Sequence, residues 1–166
     1  MGVREQVMGG RNWIQKVGER IPGFRGYDAR ECRRDADKLL REAVASRLKS
    51  AADSLGALST ALVKARRLDE VAQAQGLTQR LNTLADRART AAQGYSAFFD
   101  AVKVREPELD RLYEHDMRLL AAAEAAKAYA AGMSAEAPAL EPLAQKVSEM
   151  EAALDARKET LLSLTD

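Results

Sequence analysis

Very little in this chain favours a sheet, a disulfide framework or a metal centre. From Gly26 to Asp166 no stretch reads as a credible strand. Cys32 is the only cysteine, which excludes an internal disulfide and argues against a secreted, disulfide-stapled fold. His115 is the only histidine, and the residue three before it is Leu112. The paired Glu-x-x-His motifs of a helical di-iron site therefore cannot be assembled. Aromatics are scarce, with Trp13, four Tyr and three Phe. The core must come from Leu, Val, Met and Ala, a composition that suits close-packed helices better than a deep ligand cavity. No run of 18 apolar residues exists, so no spanning helix is expected. The first residues lack the apolar core and small-residue cleavage site of a secretory signal. Gln6 stands where a myristoylation motif after Gly2 needs Ser or Thr. The expected location is cytoplasmic, with peripheral attachment at the inner membrane as a variant of it.

What is present is helical periodicity. Val44, Leu48, Ala51, Leu55, Leu58 and Leu62 recur at spacings of three and four, as do Leu140, Leu143, Val147, Met150, Leu154, Leu161 and Leu164. Both are close to heptad seams. At 166 residues one domain with a sizeable core is expected. The predicted fold is all-α: an antiparallel helical bundle of about four long helices with coiled-coil-like seams (residues 28–166), plus a short N-terminal amphipathic helix and elbow (residues 1–27). The seams exceed what a monomer needs, which points toward self-association.

The net charge of +1 argues against a whole-molecule nucleic-acid binder. Its distribution is uneven. Residues 1–67 carry 15 Lys and Arg against 8 Asp and Glu, whereas residues 68–166 carry 11 against 17. Halves of opposite sign attract each other within one fold or present a basic face to an acidic partner such as lipid headgroups.

Residues 2–20 read as a weak, lightly basic amphipathic helix with Val3, Val7, Ile14 and Val17 on one stripe and Trp13 beside it. Gly9 and Gly10 each cost roughly 1 kcal/mol of helix stability relative to alanine. The clearest break is Ile21-Pro22-Gly23-Phe24-Arg25-Gly26-Tyr27, a structured elbow, because a solvated linker would not use Ile, Phe and Tyr. These apolar side chains are expected to pack against Tyr95, Phe98 and Phe99. Asp28 then caps a helix over residues 29–67, with Glu31 completing a capping box. A second helix is expected over 68–93, with the turn between them left open between Arg66-Arg67 and Gln75-Gly76. Pro107 and Gly132 bound a helix over 106–131, and Pro138 and Pro142 start a last one reaching about Leu164.

Few residues offer chemistry. Glu114, His115 and Asp116 are adjacent, and successive helical side chains diverge by about 100°, so the three cannot converge on one ion. Gly23-x-x-Gly26 lacks the strand-to-helix setting of a phosphate loop. The run Arg25, Arg30, Arg33, Arg34, Lys38 and Arg41 is interleaved with Asp28, Glu31, Asp35, Asp37 and Glu42, the pattern of a solvated, self-paired helix face. No enzymatic activity, cofactor, metal, nucleic acid or small-molecule substrate is predicted. The candidate interaction residues are Trp13, Ile14, Val17, Ile21, Phe24, Tyr27, Arg30, Arg33 and Arg34.

The block from Ile21 to Tyr27 followed by Arg33-Arg34-Asp35-Ala36-Asp37-Lys38-Leu39-Leu40-Arg41, and the block from Gly94 to Lys103 followed by Leu109 to Tyr113, cover about a third of the chain. Together they resemble a pattern in poorly characterised bacterial helical proteins associated with band-7 (stomatin/prohibitin-like) membrane scaffold proteins. In architecture alone the chain is similar to the phage-shock protein A family, whose helical hairpin lacks an aromatic block like Tyr95–Phe99. The resemblance implies membrane-scaffold company and supplies no catalytic residues. The expected function is thus a non-catalytic interaction or scaffold module docking on a protein partner or on itself. The alternative is peripheral binding to an anionic membrane surface through residues 1–27.

Overall fold

A computed structural model describes residues 30–91 and 106–163, with side-chain environments for 37–91 and 114–159. All four described elements are α-helices: α1 (Arg30–Lys64), α2 (Leu68–Thr90), α3 (Glu106–Ala131) and α4 (Leu140–Ser163). The amphipathic helix predicted over 2–20, the elbow at 21–27 and the aromatic block at 94–103 lie outside the described residues, as does the expected packing of Phe24 and Tyr27.

The first turn is tight because α1 ends in a Schellman motif. Arg67 N–H donates to the Leu62 carbonyl and Arg66 N–H to that of Val63, both at 3.0 Å. The position that normally takes glycine is Arg66, in the left-handed region at φ 59°. The turn thus falls at 65–67, and Gly76 sits in unbroken helix with open space around it. At the other hairpin, Gly132 N–H still bonds back to Ala128 and Tyr129, and the chain re-enters helix at Leu140. Pro142 lies in the first turn of α4, where its missing N–H has no intrahelical partner to lose.

Polar bridges fix which helices are neighbours and how they run. Lys49 reaches Asn82 and Asp86, and Arg41 reaches the Arg89 carbonyl, so α1 and α2 run in opposite directions. Arg157 meets Asp116, which lies 15 residues before the end of α3 as Arg157 lies 17 after the start of α4, so this pair also folds back on itself. Between the two hairpins, Arg47 faces Glu124 across α1 and α3 at 3.8 Å. Arg80 holds Glu151 and Ser148, and Arg87 pairs with Asp155, across α2 and α4. These cross-hairpin neighbours run in the same direction. Arg30 and Ser163 therefore lie at one end of the assembly, called here the base, and the 65–67 turn lies at the other.

The core follows the sequence periodicity. Val44, Leu48, Ala51, Leu55, Leu58 and Leu62 are all buried, as are Leu140, Leu143, Val147, Met150 and Leu154; Leu161 and Leu164 lie beyond the described side chains. Leu77, Leu81, Leu84 and Ala88 come from α2, and Leu119, Leu120, Ala123, Ala126 and Ala130 from α3. The buried alanines bring α3 close to its neighbours, as expected of a core poor in aromatics. Removing one such leucine side chain typically costs 2–5 kcal/mol.

Candidate functional site

Two places depart from an apolar seam flanked by exposed charge. The first is a buried ionic cluster at the base. Its centre is Arg157, 3% exposed, on the last turns of α4. Its Nε and one terminal nitrogen donate to the two oxygens of Asp116 on α3, at 2.5 and 2.9 Å. The same terminal nitrogen donates to Asp37 on α1 at 2.6 Å. Asp37 also accepts from Arg41 one turn on, at 2.8 Å, and Arg41 caps the Arg89 carbonyl of α2 at 2.6 Å. Two carboxylates and two guanidiniums cancel in charge, and the set touches all four helices.

This overturns the reading of Asp37 as part of a solvated face: it is 6% exposed and paired across the fold. Its i,i+4 arginine gave the solvated pattern, and the deciding partner lies 120 residues away. Glu114 is exposed and pairs with Arg118, while Asp116 points inward, so these two diverge. Burial pushes the Asp116 carboxyl above its ordinary range, against the pull of Arg157. Burial also opposes the Arg157 charge, but Asp116 and Asp37 outweigh it and raise its pKa. His115 is half-buried with Nδ1 unpartnered, 4.0 Å from an Asp116 oxygen. Burial lowers its pKa, so it is neutral near pH 7; the Asp116 charge acts weakly the other way. The cavity beside the cluster measures only about 10 Å³, at the lower limit for a single water. Among the described residues no set of three His, Cys, Asp or Glu side chains gathers as metal ligands. The cluster's chemistry is mutual neutralisation, with one guanidinium linking α4 to both α3 and α1.

The second place is an open groove of about 590 Å³ along the outer side of α1 and α2. Gly56, Ser59, Thr60 and Val63 form its α1 wall, and Gln75, Thr78, Gln79, Asn82, Thr83 and Asp86 its α2 wall. Ser59 is 9% exposed, and its Oγ has no hydrogen-bond partner. Val63, 52% exposed, is one of two large hydrophobic residues described as exposed; Leu68, across the turn, is the other. No family model, curated protein or solved structure matches this chain.

Of the residues singled out from sequence, Trp13, Ile14, Val17, Ile21, Phe24 and Tyr27 lie outside the described residues. Arg30, Arg33 and Arg34 fall on the first turns of α1, and their side chains are not among the described ones. The structure instead brings together Asp37, Arg41, Asp116 and Arg157, and a groove that sequence reasoning passed over. Its only sequence signal is a local lack of charge on the face of α1 opposite the leucines. No helix among the described residues is long and apolar enough to cross a membrane.

Proposed function

We propose that this chain is a non-catalytic helical interaction module that docks on a protein partner or on itself through its helix faces. One observation carries the reading. Of the residues lining the α1–α2 groove only Asp86 is charged, although 31% of the chain is charged. Interface cores are depleted in charge in this way, whereas surfaces evolved only for solvent are not. The finer architecture belongs to the same reading: an antiparallel bundle with coiled-coil-like seams, and an N-terminal amphipathic helix joined at the elbow. Membrane-scaffold company, implied by the two sequence blocks, is the partner class that fits. The test is affinity capture from the native host with the wild-type chain and with Thr60→Arg/Gln79→Arg, two exposed positions in the groove. Loss of specific captured proteins in the variant supports the reading; an identical set from both, with no difference in self-association either, removes its basis.

A second reading has residues 1–27 attach to an anionic membrane surface, favoured by the basic excess of residues 1–67. Sedimentation with anionic liposomes separates it from the first. Pelleting of the full chain that is lost on starting at Asp28 supports it, and negligible pelleting of both rejects it.

A further inference from the structure

We propose that the partner seated on the α1–α2 groove is a second copy of this chain, with the two α1 helices crossing antiparallel about a two-fold axis between Leu58 and Ser59. This rests on the interaction-module reading and names its occupant. The inward face of α1 is filled by its leucines, but α1 carries another stripe on its far side. Asp53, Gly56, Ala57, Thr60, Val63 and Lys64 are all exposed and recur at spacings of three and four. That is a second helix-packing seam, made of small residues instead of leucines. Gly56 allows close approach, because a Cβ built there meets nothing within 4 Å. The exposed Gln79 amide and Thr83 hydroxyl on the opposite wall offer hydrogen bonds to an incoming helix.

Charge selects the occupant. The only charged residues in this stripe are Asp53 at one end and Lys64 at the other, and neither is paired among the described residues. They lie at equal distances from the point between Leu58 and Ser59. A reversed copy of the same stripe therefore places Asp53 on Lys64, and Lys64 on Asp53, while Gly56, Ala57 and Thr60 pack at the centre. Self-complementarity of this kind is what a two-fold, same-patch interface requires. An unrelated partner would have no reason to match the spacing.

Sedimentation velocity of the full chain over a range of concentrations tests this. The wild type should show a monomer–dimer equilibrium. Gly56→Leu should be monomeric and melt no lower than wild type, because the added side chain meets open space in the monomer and leucine is the better helix former. Asp53→Lys and Lys64→Asp should each weaken the dimer by about tenfold, since each turns two exposed attractions into repulsions. The double swap should restore it to within about threefold. A wild type that stays monomeric throughout overturns the proposal, as does a dimer indifferent to Gly56→Leu and to the charge swaps. If self-docking fails while Thr60→Arg/Gln79→Arg still loses captured host proteins, the interaction-module reading stands and only its occupant is wrong. If both fail, neither stands.

Discussion

At the base of the assembly Arg157 places its guanidinium on two carboxylates, with its side chain only 4% exposed. At the turn end Arg67 places its guanidinium on the backbone carbonyls of Ala135 and Glu136, at 2.7 and 3.1 Å, and on Glu70 in the first turn of α2. That side chain is 35% exposed. Both arginines tie one hairpin to the other, but the consequences of losing them differ. A carbonyl released at the surface finds water. A carboxylate released in the interior finds nothing, so the base is held by a neutrality condition and the turn end by ordinary hydrogen bonds.

The largest expected effect breaks the base. Arg157→Ala leaves Asp37 and Asp116 buried without their shared cation and should cost about 3–5 kcal/mol, a large share of the stability of a domain this size. Urea denaturation measures it, and a loss under 1 kcal/mol would show the cluster to be wetter than its burial indicates. Replacing the whole set, as Arg157→Met and Arg41→Met with Asp37→Leu and Asp116→Leu, should recover most of that loss, because no charge is then left unpaired. Arg67→Ala should cost only about 1 kcal/mol. The two single losses should add, since the sites share no partner.

Two smaller changes sharpen the contrast. Arg66→Gly should raise stability by about 0.5–1 kcal/mol, because glycine takes the left-handed position at the turn without the Cβ penalty; an unchanged midpoint in urea would count against strain there. At the base, proton linkage enters through His115. Its folded pKa is depressed below 6.5 by burial, so the unfolded chain binds more protons below that pH. Stability should therefore fall as pH drops below about 6.5. Asp116 has the opposite sign: its raised pKa contributes stability at low pH that is lost as pH rises through its folded value. His115→Gln should flatten the decline below about pH 6.5, and chemical denaturation at a series of pH values reads the slope. A slope unchanged by the substitution would place the titration elsewhere.

How much could be read beforehand follows from the range of the interactions. The leucine seams were legible because helical periodicity is local, and the third helix was legible to the residue because Pro107 marks its first turn and Gly132 follows its last residue. The first turn was not, because its left-handed residue is Arg66 rather than glycine, and a composition rule has no purchase on it. Asp37 was misread for a related reason: Arg41 four residues on produces the same pattern whether the pair is solvated or buried. Asp116 looked idle beside His115 because its partner, Arg157, lies 41 residues on. The α1–α2 groove is marked only by missing charge, and what distinguishes it, open space over Gly56 and an orphaned Ser59 hydroxyl, exists only once α2 lies alongside.

The shared placement of Arg30 and Ser163 at the base has a mechanical consequence. A pull applied between those two residues would not slide the helices past one another, which would load many contacts at once. It would peel them apart from one end, and among the described side chains the Asp37–Arg157 link is the ion pair between α1 and α4 that first bears the load. Under tension the chain should open like a zip whose strongest tooth is the first, yielding in one early step and then lengthening at little further force.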